Sequence, residues 1–248
     1  MEDIFRKYLK EKGFSRFDLK AVLFDMDGVL YDSMAAHAKS WQQVFEEEGF
    51  TTTTPEEFYL HEGRTGKSTI NLIYEREKGR KATPEEKKRI YDRKTELFYQ
   101  YNSGDTIPGA FEVLELVKQS GLIPVLVTGS GQPSLLDRLD TNFPDIFTPD
   151  TMVTAFDVKK GKPNPEPFLM GLQKGGDLKP NQAIVIENAP LGTEAAHNAG
   201  IFVIDVNTGP LSDKVLLDAG GNLVLDSMTS LLKNLPEIST ILRTLEIT

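Results

Sequence analysis

Two carboxylates stand where a buried stretch of this chain should end. The apolar run AVLF (21–24) leads directly into Asp25, and Asp27 and Gly28 follow one residue later. Burying charged groups without partners is costly, so the two acids need partners from elsewhere in the fold. A hard cation such as Mg²⁺ binds carboxylate and main-chain carbonyl oxygens together with the phosphate of a substrate. The stretch therefore indicates phosphate chemistry.

Further polar residues follow other apolar runs. Thr128 ends the run 123–128, Lys162 follows the run 152–156, and Glu187 follows the run 183–186. Ligands of parallel sheets bind at the carboxyl ends of the strands. We therefore expect an acid pair, a hydroxyl, an ammonium group and a further acid to meet at one edge of the sheet.

This set of groups fits phosphoryl transfer. Asp25 could attack phosphorus and form an aspartyl phosphate, while Asp27 protonates the leaving oxygen and then activates water. Lys162 and Thr128 would bind phosphate oxygens. Carboxylates of Asp25 and Glu187, with the main-chain carbonyl of Asp27, would hold Mg²⁺. Two further polar residues either bind phosphate or belong to a turn, namely Ser130 and Gln132.

The elements that would position these residues follow from the apolar pattern. Short runs rich in β-branched residues alternate with helical patterns such as 109–119 and 189–199, which predicts a parallel sheet covered on both faces. The predicted strands are 21–24, 123–128, 152–156, 183–186, 201–206 and 222–225. Residues 2–13 predict a short outer helix. Between Ser33 and Thr106 the pattern is helical, over 34–48, 67–78 and 84–101, with a turn at 51–55, which predicts an inserted helical domain.

Composition excludes several classes of protein. The chain has 248 residues and a formal net charge of −9 without a long Lys/Arg stripe, which argues against a nucleic-acid partner. The absence of cysteine excludes disulfides, thiol catalysis and cysteine-bound zinc. The charged N-terminus does not resemble a signal peptide, and no apolar run is long enough to span a bilayer. We expect a cytoplasmic monomer that acts on a small phosphorylated molecule.

Four ordered motifs carry a family resemblance. DMDGVLYDS (25–33), VTGS (127–130), GKPNPEPF (161–168) and VIENAPLGTEAAHNAG (185–200) resemble the motifs of the haloacid dehalogenase superfamily. The helical insertion resembles the cap of its β-phosphoglucomutase-like branch. The resemblance implies a three-layer, Rossmann-like α/β core (1–33 and 106–248) with an inserted all-α cap (34–105). It also implies the following roles: Asp25 as nucleophile, Asp27 as acid/base, Thr128 and Lys162 as phosphate binders, and Glu187 with Asn188 at a Mg²⁺ site.

The cap segment departs from the pattern of the sugar mutases. Asn188 replaces the second acid of motif four, Gly66 stands at the position of the mutase arginine, and Glu62 stands where a mutase has lysine. His37 and Lys94 match cap positions that assist the mutase reaction. A Glu62 that reached the metal would restore the lost charge and narrow the cavity. This combination resembles family members that hydrolyse inorganic pyrophosphate or other small phosphates.

Three hypotheses follow. The first is a Mg²⁺-dependent phosphohydrolase with pyrophosphate as the best single candidate, the second is β-phosphoglucomutase, and the third is a phosphorylation-dependent binding or regulatory protein. Alternatives also remain for single residues: His37 could be a buried structural histidine, and Glu62 and Lys94 could be ordinary solvated charges. Lys159 or Lys160 could take the place of Lys162.

Overall fold

A parallel sheet forms the centre of the protein, confirming the predicted fold class. The computed structural model describes residues 1–131 and 137–247. Within them the six strands pair in the order β3-β2-β1-β4-β5-β6, and every pairing is parallel. The strands are β1 (Ala21–Phe24), β2 (Ile123–Val127), β3 (Met152–Val153), β4 (Ala183–Glu187), β5 (Phe202–Val206) and β6 (Leu223–Leu225).

Helices cover both faces of the sheet. Strand β1 is buried on both sides: Val22 and Phe24 join one apolar cluster, with Phe5, while Ala21 and Leu23 join another. This alternation follows from the two-residue period of a strand. Among the described residues, the α-helices outside the insertion are α1 (Glu2–Lys12), α6 (Ala110–Gln119), α7 (Leu139–Asn142), α8 (Glu166–Lys174), α9 (Pro190–Asn198), α10 (Asp213–Asp218) and α11 (Met228–Thr244).

The residues between β1 and β2 are largely helical and have an apolar cluster of their own. The helices are α2 (Met34–Glu47), α3 (Pro55–Leu60), α4 (Gly66–Lys78) and α5 (Pro84–Tyr101). Their cluster includes Trp41, Phe45, Phe58 and Ile73. A separate core is what an inserted cap needs for its own stability. The domain limits at 33/34 and 105/106 stay a prediction.

Two local predictions need correction. The strand predicted over 152–156 ends at Val153, because the backbone N–H and hydroxyl of Thr154 both donate to Asp157 Oδ2 at 2.8 Å and turn the chain. The run 51–55, predicted as a turn, extends into α3, which begins at Pro55. Helices α7, α8, α10 and α11 have no predicted range; for α8, prolines and a glycine precede the helix and hide its start.

Helix α1 was predicted over 2–13 and ends at Lys12. Gly13 then takes a left-handed conformation with φ of 72°, which glycine adopts without steric cost. In the described part of the chain, 1–131 and 137–247, none of the helices is both long and apolar enough to cross a membrane.

Candidate active site

Asp25, Lys162 and Glu187 form a buried ionic cluster at the carboxyl end of the sheet. Lys162 Nζ donates to Asp25 Oδ1 and to Glu187 Oε1, each at 2.6 Å. Burial raises the pKa of Asp25 well above its usual range, against the opposing charge of Lys162. Burial alone would lower the pKa of Lys162, but the carboxylates of Asp25 and Glu187 outweigh it and raise that pKa. The alternative lysines, Lys159 and Lys160, are exposed.

Glu187 is also held from its other oxygen. Its Oε2 accepts from the backbone N–H groups of Asn188 at 2.9 Å and Ala189 at 3.2 Å, at the start of α9. Both carboxylate oxygens of Glu187 therefore have partners within the protein. The structure brings Glu187 to Lys162 and to the helix start, which makes it an anchor for Lys162.

Asp27 lies at the end of a hydrogen-bonded chain that crosses into the cap. Its Oδ1 accepts from Ser33 Oγ at 2.5 Å and lies 3.0 Å from His37 Nε2. The other imidazole nitrogen, Nδ1, lies 2.7 Å from Lys94 Nζ. A lysine ammonium can only donate, so Nδ1 accepts and the imidazole proton lies on Nε2, from where it is donated to Asp27. The solvated alternative for Lys94 is therefore wrong, because Lys94 is buried; His37 is buried as well, as its structural alternative also requires.

The charges of this chain perturb one another. Burial would raise the pKa of Asp27, but His37 and the hydrogen bond from Ser33 outweigh it and lower that pKa, so Asp27 is a carboxylate here. Burial lowers the pKa of Lys94 to about 8, although Glu62 and Asp27 oppose the shift. Asp27 Oδ2 is buried and has no hydrogen-bond partner among the residues that the structure describes. That oxygen is available to a substrate or a water molecule.

The remaining core residues of the predicted site lie nearby in buried positions. Thr128 follows β2, where its backbone N–H bonds Val153 O and its Oγ1 accepts from the N–H of Ser130 at 2.9 Å. Asn188 Nδ2 lies 3.5 Å from Thr208 Oγ1, and Asn188 Oδ1 is buried with no hydrogen-bond partner in residues 1–131 and 137–247. Gln132 lies outside the described residues.

Gly28 is required where the chain turns away from the acids. Its φ is 81°, and a Cβ there would lie 1.9 Å from Asn188 Nδ2. Since L side chains rarely adopt this conformation, only glycine fits both the backbone and the neighbouring amide.

Glu62 lies in the cap loop that covers these groups. It lines a cavity of about 30 Å³ together with His37, Lys94 and Ser130, which is the room that about one water molecule occupies. Burial raises the pKa of Glu62, while His37 and Lys94 oppose the shift. The loop touches the core directly: a Cβ at Gly129 would lie 2.4 Å from Gly63 O, and one at Gly161 would lie 2.9 Å from Thr65 Cγ2. The cap is thus closed on the core.

Asp205, a buried acid of β5, was not among the predicted site residues. Its Oδ1 lies 2.6 Å from Thr193 Oγ1, which also lies 3.0 Å from Ala189 O. A hydroxyl has one proton and cannot donate fully to both, so a protonated Asp205 would donate to Thr193 and Thr193 to Ala189. Burial does raise the pKa of Asp205 well above its usual range. The signal was present in the sequence as one acid inside the apolar run 201–206.

A parallel α/β core whose strand ends gather acids, a hydroxyl and a lysine beneath a helical cap defines a class of phosphoryl-transfer enzymes. The sequence comparison specifies the family. Residues 22–206 match the haloacid dehalogenase-like hydrolase family, and the chain belongs to it.

Similar proteins place the chain more narrowly. It is 32% identical over 206 residues to a phosphorylated carbohydrates phosphatase of Thermotoga maritima, covering 82% of this chain and 92% of that protein. It is 31% identical over 191 residues to hexitol phosphatase A of Escherichia coli, covering 76% and 83% respectively. A solved structure from Bacteroides vulgatus, described as a "Putative beta-phosphoglucomutase", superposes with a TM-score of 0.94 at 55% identity and 98% coverage of both chains. The chain is a phosphatase or phosphomutase of the β-phosphoglucomutase-like branch.

Proposed function

We propose that the protein is a Mg²⁺-dependent phosphohydrolase that works through an aspartyl phosphate, with inorganic pyrophosphate as the best single candidate substrate. The observation that carries the proposal is Glu62, which lines a cavity of about 30 Å³ beside His37 and Lys94. In the closed state this space has no room for a hexose, whereas a small inorganic phosphate compound requires the least widening.

The donor atoms fit a divalent cation. Asn188 Oδ1 is a buried oxygen with no hydrogen-bond partner in the described ranges, and Asp25 is a buried carboxylate. With the main-chain carbonyl of Asp27 they form an all-oxygen set of the kind that Mg²⁺ prefers. Glu62 would add a second carboxylate from the cap, replacing the charge that Asn188 lacks. When bound, the cation would neutralise phosphate charge and orient the substrate.

The roles of the protein groups follow from their contacts. Lys162 holds Asp25 Oδ1 and fixes the carboxylate that attacks phosphorus. Phosphate oxygens would bind Thr128 and nearby main-chain N–H groups. Asp27, fixed by Ser33 and His37 through Oδ1, presents Oδ2. Its lowered pKa favours the carboxylate that takes a proton from the attacking water.

A sugar-phosphate reaction is the second candidate. Relatives that the chain resembles are named for phosphorylated carbohydrates and hexitols, and a similar solved structure carries the mutase description. His37 and Lys94 also match cap positions that assist the reaction in the mutases that the chain resembles. Against the mutase reaction stands Gly66, at the position of the mutase arginine: a Cβ there would lie 2.2 Å from the ring of Tyr91. An arginine therefore could not enter without moving Tyr91.

The test is a substrate comparison with purified protein and Mg²⁺. Pyrophosphate, β-glucose 1-phosphate with a bisphosphate primer, and a panel of hexose and hexitol phosphates would be offered in parallel. We expect pyrophosphate to have the highest kcat/KM. Efficient mutase turnover with negligible pyrophosphate cleavage would refute the proposal.

Two variants sharpen the comparison. Asp25→Asn should abolish phosphate release, because the amide cannot act as the nucleophile. Release that survives this change contradicts an aspartyl phosphate. If the wild-type protein releases no phosphate from any of these substrates, the third hypothesis, a binding protein, is favoured. Glu62→Gln should reduce pyrophosphate cleavage by about tenfold or more, through loss of one charge near the cation. Its matched control is Glu56→Gln, an exposed acid of α3. Equal pyrophosphate cleavage by the two Gln variants would show that Glu62 does not determine the choice of substrate.

A further inference from the structure

A second cavity lies on the boundary of cap and core, and its charged lining is cationic. Its volume is about 520 Å³. Arg64 and Thr65 line it from the cap loop, and Lys159, Lys160 and Lys162 line it from the core. The side chain of Lys162 is fully buried, and its Nζ is paired with Asp25 and Glu187. The lining described by the structure contains no carboxylate. We call this cavity the Arg64 pocket.

The other cations of the Arg64 pocket lack counter-charges within the described part of the chain. None of Arg64, Lys159 and Lys160 forms an ion pair there. The nearest acid along this loop, Glu166, accepts the backbone N–H groups of Lys159 at 2.7 Å and Lys160 at 3.1 Å, so its carboxylate is engaged with the main chain. The Nε of Arg64 is buried and has no hydrogen-bond partner among the described residues.

The position of Arg64 connects this pocket to the active site. Arg64 also lines the small cavity that contains Glu62 and Lys94. On the outer side, the first turn of α4 begins at Gly66 next to Thr65, and its N-terminal end carries partial positive charge. Three cations and a helix start, supplied by two lobes, suit an anion with several oxygen atoms.

We propose that the Arg64 pocket binds inorganic phosphate, at a site separate from the one where phosphoryl transfer occurs. The identity of the ligand as a reaction product rests on the proposed function, while the pocket itself does not. A phosphate held between Arg64 and the Lys159–Lys160 pair bridges cap and core. It therefore binds the closed state better than the open state and shifts the protein toward closure.

The test is equilibrium dialysis of the full-length chain against radiolabelled inorganic phosphate with Mg²⁺ at constant ionic strength. Wild type should bind two phosphates. In the double variant Lys159→Ala/Lys160→Ala, one site should be retained and the other weakened by about tenfold or more, as expected for loss of two partly screened charges. The matched control is Lys10→Ala/Lys12→Ala on α1, which should retain both sites.

Trp41 provides a second readout, since it is the single tryptophan of the chain and lies in the cap. Its fluorescence should change in two phases with added phosphate in wild type and in one phase in the Lys159/Lys160 variant. One bound phosphate in wild type, or two unchanged sites in that variant, would overturn the proposal. Two-site binding in a protein that does not cleave pyrophosphate would reject the proposed substrate alone.

Discussion

Replacing Lys94 by methionine should make the protein more stable and less active. Lys94 is 1% exposed, and its Nζ lies 2.7 Å from His37 Nδ1. Burial lowers its pKa from the ordinary 10.5 to about 8. That difference corresponds to about 3 kcal/mol of free energy spent at neutral pH to keep the ammonium charged inside the fold. Methionine fills a similar volume without the charge.

The expected gain is smaller than this cost. Removing the ammonium leaves His37 Nδ1 without its donor, which costs about 1–3 kcal/mol. We expect Lys94→Met to gain about 1 kcal/mol at pH 7, or about 2–4 °C in melting temperature for a chain of this size. Between pH 8 and 10.5, Lys94 carries fewer protons in the folded protein than in the unfolded chain. The stability of the wild type therefore rises with pH through this window. The advantage of the variant must therefore shrink as the pH rises.

Activity should respond in the opposite direction. Without Lys94 the imidazole of His37 is no longer fixed in the tautomer that donates to Asp27, and phosphate release should fall by about a hundredfold. The alkaline limb of the wild-type pH–rate profile, expected near pH 8, should disappear. Thermal unfolding from pH 7 to 10 and initial rates would be measured beside Lys88→Met, an exposed lysine of the same helix. A variant that is less stable than wild type and fully active would refute the reasoning.

Two further substitutions probe the support of the site. Gly28→Ala places a Cβ 1.9 Å from Asn188 Nδ2 at a φ of 81°, so we expect a loss of about 2 kcal/mol or more in denaturant unfolding and a large loss of activity; unchanged stability would show that Asn188 moves freely. Asp205→Asn removes a carboxyl whose pKa burial raises. The stability that protonated Asp205 gives the wild type is lost as the pH rises above about 4, where the carboxyl ionises in the unfolded chain. The melting temperature of the variant relative to wild type should therefore increase from pH 4 to pH 8. A melting-temperature difference that is independent of pH would contradict a protonated Asp205.

The sheet and the convergence of the acids were predictable from local patterns. A short β-branched run such as 183–186 has few alternatives to a buried strand, and parallel strands bring their carboxyl ends together whatever lies between them. Asp25, Lys162 and Glu187 therefore meet, as the spacing predicted. The roles assigned to these side chains remain predictions, to be tested by substitution.

Other features depend on neighbours that no local pattern specifies. The sequence shows that Gly66 replaces an arginine, but only the structure shows the ring of Tyr91, from α5, filling the space. Asp205 fits a strand pattern as a single exception, and its partner Thr193 comes from a helix on the sheet surface. Lys94 lies in a charge-rich helix, and its burial follows from tertiary packing against His37 and Trp41 of α2.

The glycine contacts between cap and core set a condition on the timing of each reaction cycle. Gly63 lies against Gly129, and Thr65 lies against Gly161, with too little space for even a methyl group at either glycine of the core. With only about 30 Å³ free beside Glu62, the closed arrangement cannot hold a phosphorylated substrate. Each turnover therefore requires the two lobes to move apart, and the frequency of that movement is an upper limit on kcat however fast the chemistry becomes.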